Sequence, residues 1–361
     1  MKYNCRYSLC FAILLLASCV GQEQDPLSFS PPIFPETIQV NVTPFCDEFL
    51  FNGPFLMEDL GDYFVVGTFH EDKYLHIFDK ERLTYVKSFG SYGRGPGEFL
   101  GPPRIRLNED KSVMHLFQYY GGMNDYWDYN VKNVLYDSRV LPFWEEQIVF
   151  FRDKGAKYPG YPSDFIAWKD KRLFMGSRMH RLEVQDTLGN TLCLYDKYPV
   201  IPLKQASDST SFSAVYRHSA LALKPDLSRF VIASRVGCIL EFFTIEASGK
   251  IEKEREKRFY PPIFFITKTG LFEEISGETI LGISYLSVTD ELIYAQYNGN
   301  VSLDRGNFPR SIAVFDWSGN PIRRYNLEWK IYRFIVDAQR NRCYLAGIDQ
   351  NDEIRLGYFD L

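Results

Sequence analysis

From residue 37 onward the chain alternates short apolar runs with polar clusters. Each run is four to seven residues of aromatic and β-branched type, such as Tyr63-Phe64-Val65-Val66, Leu75-His76-Ile77-Phe78, Phe230-Val231-Ile232-Ala233 and Ile312-Ala313-Val314-Phe315. Between them lie clusters rich in Gly, Asn, Asp and Lys, so the runs read as strands bounded by turns. After residue 20 no long segment shows the 3.6-residue apolar period and the caps of an amphipathic helix. The pattern predicts an all-β protein.

A coarse repeat runs through these strands: a strand ends on an acidic residue, turns, and resumes. It occurs at Ile77-Phe78-Asp79, at Val184-Gln185-Asp186 before Gly189-Asn190, at Ile245-Glu246 before Gly249-Lys250, at Val314-Phe315-Asp316 before Gly319-Asn320, and at Tyr358-Phe359-Asp360, with a weaker copy at Trp127-Asp128. The acidic side chain can accept from backbone amides of the turn, and glycine supplies the positive φ of a tight hairpin. Copies recur roughly every 45 to 70 residues, a spacing that suits propeller blades with loop insertions. Six copies imply six four-stranded blades, closed radially so that few edges are exposed. The last blade, built from residues 332–336, 342–346 and 354–359, has three strands before the chain ends. The alternating stretch Thr37-Ile38-Gln39-Val40-Asn41-Val42 is expected to supply its outer strand and close the ring.

The amino terminus reads as an export signal. Lys2 and Arg6 precede an apolar run from Leu9 to Ala17 that is too short for a bilayer span, which needs about 20 residues. It ends in Leu16-Ala17-Ser18-Cys19, the spacing of a bacterial lipobox, in which the cysteine is acylated; an ordinary cleaved signal peptide is the alternative. Acyl chains on Cys19 would hold a soluble domain on a membrane without a transmembrane helix. Residues 20–35, with Pro26, Pro31, Pro32 and Pro35, read as an extended tether. Its Gln22 to Asp25 stretch reads first as a solvated linker and is faintly similar to surface-export signals of some Gram-negative lipoproteins. The organisation expected is a signal peptide over 1–18, a lipid-anchored tether over 19–36 and a propeller over 37–361, on the outer membrane, periplasmic or surface-exposed.

Without residues 1–18, 39 basic side chains face 46 acidic ones, a net charge of about −7. Nucleic acid and anionic lipid surfaces, which both select a basic footprint, are therefore not expected partners. Four cysteines follow Cys19: Cys46, Cys193, Cys238 and Cys343. No Cys-x-x-Cys pair is present, which argues against zinc and thioredoxin-like chemistry. Three disulfide connectivities are open, although Cys193, Cys238 and Cys343 lie inside apolar runs, as buried thiols do.

The sharpest motif is Phe89-Gly90-Ser91-Tyr92-Gly93-Arg94-Gly95-Pro96-Gly97-Glu98-Phe99, followed by Pro102-Pro103. Dinucleotide fingerprints need a helix directly after the glycines. Here the prolines and an alternating strand, Arg104-Ile105-Arg106-Leu107, follow instead, so the loop is expected to carry the chain from the first blade to the second. With this loop, the lipobox and the strands from Gly61 to Phe89, the chain resembles the TolB-like six-bladed propeller lipoproteins of Gram-negative gut anaerobes. The resemblance implies the fold and the location; that family has no established activity and transfers no catalytic residue.

Catalytic signatures such as His-Glu-x-x-His and Gly-x-Ser-x-Gly are missing, and no calcium loop is present, although carboxylates gathered across blades could still bind Ca2+. No cofactor is indicated. Propeller ligands sit where inner strands begin, and the residues expected at that channel mouth are Arg94, Arg104, Asp164, His218, Tyr285 and Arg333. Arginines there suit an anionic or hydroxyl-rich ligand; pairing with local acids is the alternative. Aromatic crowding from Tyr119 to Tyr161 suits either sugar stacking or packing between blades. Two functions follow: a non-enzymatic envelope module binding a protein, glycan or small ligand, or a propeller hydrolase or lyase acting on an extracellular sugar or lactone.

Overall fold

The computed structural model describes residues 28–361 apart from 47, 48, 50, 96, 121, 122, 138–161, 177–179, 201–214, 217, 267–271, 275, 276 and 302–307. Two strands come first, β1 (Glu36–Val40) and β2 (Thr43–Phe45). Blade one is the meander β3 (Leu56–Asp59), β4 (Tyr63–His70), β5 (Lys73–Asp79) and β6 (Thr84–Tyr92), with the short β7 (Glu98–Phe99) alongside β6. Blade two has β8 (Arg104–Leu107), β9 (Val113–Tyr120) and β10 (Met123–Asn130), followed by the short helix α1 (Val131–Tyr136). Blade three is β11 (Asp164–Trp168), β12 (Lys171–Met175), β13 (Leu182–Asp186) and β14 (Thr191–Tyr195); blade four is β15 (Ala220–Leu223), β16 (Arg229–Ala233), β17 (Cys238–Ile245) and β18 (Ile251–Tyr260). A hairpin, β19 (Phe264–Ile266) with β20 (Phe272–Glu274), precedes blade five, which is β21 (Ile283–Val288), β22 (Leu292–Tyr297), β23 (Ser311–Asp316) and β24 (Pro321–Leu327). Blade six is β25 (Lys330–Asp337), β26 (Arg342–Ile348) and β27 (Ile354–Asp360). The inner strands β3, β8, β11, β15, β21 and β25 touch in succession around the channel, and β25 meets β3 again.

The apolar runs are continuous because each middle strand is buried on both faces. In β23, Ala313 and Phe315 join a cluster with blade four, whereas Ile312 and Val314 join one with blade six. In β4, Val65 packs toward blade two while Phe64 and Val66 pack toward blade six. Successive side chains thus serve opposite neighbours, and each large one contributes roughly 1.5–3 kcal/mol on burial. Packing between blades, rather than a central core, holds the ring.

The acidic repeat forms the turn after the third strand. Asp316 Oδ1 accepts from the amides of Ser318 and Asn320, both at 2.8 Å, and Gly319 takes φ +80°. Asp186 does the same for Leu188 and Asn190. Asp128 differs from the expected copy: it lies inside β10 and meets His115 Nδ1 at 2.6 Å.

Ring closure departs from the expected pairing. Glu36–Val40 pairs in parallel with β24 as a fifth strand of blade five. The outer strand of blade six is β2, antiparallel to β27. Alternation marks a strand but not the edge it takes; here Phe45 decides, packing on Tyr344 and Tyr358 of blade six and Phe64 of blade one. Residues 28–35, read from sequence as tether, lie on the propeller body. Ser30 N donates to Arg258 O at 3.1 Å, and Phe34 meets Tyr297 and Phe315 edge-on.

Among the described residues Cys193, Cys238 and Cys343 are free thiols, Cys238 and Cys343 buried and Cys193 half-buried, and Cys46 is half-buried. No helix among them is long and apolar enough to cross a membrane. The expected signal peptide, Cys19 and most of the aromatic-rich stretch lie outside the described residues.

Candidate functional site

The mouth of the channel is the face on which each inner strand begins and each blade-to-blade crossing arrives. Polar side chains from five inner strands converge there. Arg106 of β8 is the hub: its Nη2 donates to both oxygens of Asp164 on β11, at 2.8 and 2.7 Å, its Nη1 donates to Glu58 of β3, and its Nε donates to Phe165 O at 3.0 Å. One guanidinium thereby ties blade two to blades one and three. The guanidinium can serve several acceptors at once because its donors are spread around one plane.

From the other side, Tyr285 of β21 reaches past blade six and donates to Met57 O at 2.6 Å, bridging the channel from blade five to blade one. The Arg333 guanidinium of β25 sits 5.4 Å from the Tyr285 ring centre and donates to Phe55 O at 2.8 Å and Tyr332 O at 2.6 Å. Blade four contributes only the apolar Ala220-Leu221-Ala222-Leu223 strand.

Burial sets the electrostatics. It pushes the Glu58 carboxyl up to about 7, helped by the nearby Asp164 and Asp59 charges and opposed by Arg106. Burial also works against the Arg106 charge, but Asp164 and Glu58 outweigh it and raise that group. The Tyr285 hydroxyl is raised, mainly by burial, and so remains a donor. Arg333 is lowered, first by burial and also by the charge of Arg104, against the opposing effects of Tyr285 and Asp164. Among the described residues neither Arg333 nor Arg104 has a carboxylate in ion-pair contact.

Of the residues expected at the mouth, Asp164, Tyr285 and Arg333 therefore belong to one network, and Arg104 stands exposed beside Arg333. Arg94 and His218 are exposed on the crossings before β8 and β15. Glu58 and Arg106 were missed. The signal for Arg106 was present, since Arg104-Ile105-Arg106 puts both arginines on one side of a strand. Glu58, next to Asp59 in a four-residue strand, carried no comparable mark.

The glycine loop is structural. Glu98 folds back so that the Gly95 amide donates to its Oε2 at 2.7 Å, and its carboxylate fills the space where a side chain on Gly93 would stand. An amide that a phosphate would need is already used. Among the described residues no three His, Cys, Asp or Glu side chains are grouped so as to hold a metal ion.

The family profile of TolB-like six-bladed propellers matches residues 33–339. The chain belongs to the TolB-like six-bladed propeller family. Two solved structures show the same fold for this member: an exported protein of Bacteroides fragilis, at 12% identity and TM-score 0.55 over 90% of this chain and 99% of that one, and a member of the DUF4221 family from Bacteroides vulgatus, at 11% identity and TM-score 0.51 over 89% and 96%. At such identities only the architecture carries over. A search of curated proteins finds no match.

Proposed function

We propose that this chain is a lipid-anchored envelope protein, held through Cys19, whose propeller binds an anionic small ligand at the channel mouth without transforming it. The observation that carries the reading is Arg333. Its guanidinium is sunk among backbone carbonyls and one aromatic ring, has no carboxylate partner among the described residues, and has the Arg104 charge beside it. Arginine does not discharge, so a cation offset only by the Asp164 charge, with which it makes no ion-pair contact, is a standing cost that an entering carboxylate, sulfate or phosphate group reduces. Tyr285 supplies an aromatic surface below the site, and the Arg106 network fixes the strands around it. The exported Bacteroides fragilis neighbour and the lipobox support the envelope location.

Calorimetric titration with sulfate, phosphate and galacturonate, against neutral galactose, tests this. Saturable binding of an anion, lost in the Arg104→Gln, Arg333→Gln double variant, is the expected result. Binding of the neutral sugar alone, or anion binding unchanged in that variant, overturns it.

A further inference from the structure

The amino-terminal segment is pinned to the propeller well before its first strand. Phe29 packs on a small cluster of Val215, Tyr216, Val236, Ile239 and Phe264, and the Arg258 guanidinium lies 5.7 Å from its ring centre. Ser30 bonds the Arg258 carbonyl, and Phe34 fills the seam between blades four and five against Tyr297 and Phe315. From there β1 lines blade five and β2 completes blade six. The segment is a strap over three consecutive blades, and Ser28 is the first described residue at its outer end. That end lies on the mouth side of blade four, because β18 finishes there and Val236 and Phe264 belong to the turn and crossing on that face.

We propose that the mouth-side rim of blade four is the surface this protein turns toward the lipid bilayer. The inference rests on the anchoring of Cys19 put forward above. Nine residue steps separate Cys19 from Ser28, so whatever their conformation the span is at most about 32 Å. Four strands spaced about 4.8 Å on each side of a channel make the ring roughly 50 Å across. The leash is shorter than the ring is wide, so blade four is the near part of the molecule and blade one, diametrically opposite, is the far part.

The test uses the full-length acylated protein reconstituted in vesicles with nitroxide-labelled headgroups, carrying one bioorthogonal fluorophore at Arg235 on blade four or at Glu81 on blade one, both exposed. At least twofold stronger quenching at Arg235 is expected. Inserting twenty Gly and Ser residues between Pro26 and Leu27 should erase the contrast. Equal quenching at the two sites, stronger quenching at Glu81, or a contrast that survives the insertion overturns the orientation. Intact mass is measured first: absence of acyl groups on Cys19 overturns the anchoring itself, a failure distinct from any quenching result.

Discussion

The Lys80 ammonium and the Asp337 carboxylate lie 2.8 Å apart across the seam between the first and last blades, joining positions separated by 257 residues. Lys80 also donates to Asp59 Oδ1 at 2.7 Å, and the Tyr344 hydroxyl donates to its carbonyl at 3.2 Å. With a side chain only 1% exposed, Lys80 is a buried cation fully committed to its two partners. Removing it leaves Asp337 buried with Arg340 as its remaining cation. Breaking one side of a buried pair costs about 3–5 kcal/mol, and the surviving Arg340 puts the Lys80→Met variant near 3. Urea unfolding of the folded variant measures this; a loss below about 1 kcal/mol would show that the seam is held by packing alone.

The same seam sets an acid limit. Burial alone would raise the Asp337 carboxyl, but hydrogen bonds from Lys80 and the Arg340 amide outweigh it and hold the group below its usual value. A depressed folded-state value means the contribution is complete above the unfolded value of about 4 and is lost as pH falls below it. Stability measured from pH 6 to pH 2 should therefore fall, and should fall less steeply in Lys80→Met.

Glu58 works in the opposite sense. Its folded-state value of about 7 lies above the unfolded value of about 4.3, so the native state holds the proton more tightly. Its contribution is present below about pH 4 and is lost as pH rises toward 7. On the proposed function, protonation of Glu58 frees positive charge on Arg106 and strengthens anion binding several-fold between pH 8 and pH 6. Sulfate titrations across that range should show the trend, and Glu58→Gln should flatten it. A flat wild-type profile would remove Glu58 from the binding site.

Near the end of β6, Gly90 has φ +74°, and a side-chain carbon there would come within 2.4 Å of the fully buried Phe99 ring. Both the left-handed backbone and the clash oppose substitution. Gly90→Ala should cost about 1–3 kcal/mol on backbone strain alone, seen as a lowered midpoint in thermal unfolding. The result separates a structural glycine from a ligand-contacting one, since sulfate affinity per folded molecule should stay unchanged.

What could be read in advance follows from the range of the interactions. The hairpin signal of Asp316 and Gly319 is local: the carboxylate bonds amides two and four positions on, so neighbouring residues suffice to reveal it. The inner-strand start of Asp164, Tyr285 and Arg333 was legible because blade order fixes which strand faces the channel. Glu58 was not, because its meaning depends on Arg106, 48 positions away and on another blade. Nor was the Lys80 contact, which joins the first blade to the last. Residues 28–35 read as tether because their prolines suggest solvent, whereas Phe29 and Phe34 fill seams between distant segments.

The division of labour between the two leading strands gives a final test. Phe45, in the strand that completes blade six, is nearly buried and contacts rings from two blades, Phe64 on one side and Tyr344 and Tyr358 on the other. Ile38, in the added strand of blade five, is half-buried and packs from one side only. Truncating a buried aromatic costs about 3–5 kcal/mol because transfer and cavity terms add, whereas a half-exposed aliphatic forfeits roughly 1 kcal/mol of burial. Phe45→Ala should therefore lower the unfolding midpoint far more than Ile38→Ala. Closing strands act on the whole ring, since opening one seam exposes the apolar sides of two blades at once. Equal losses in the two variants would mean that the fifth strand on blade five, rather than Thr43–Phe45, holds the ring shut.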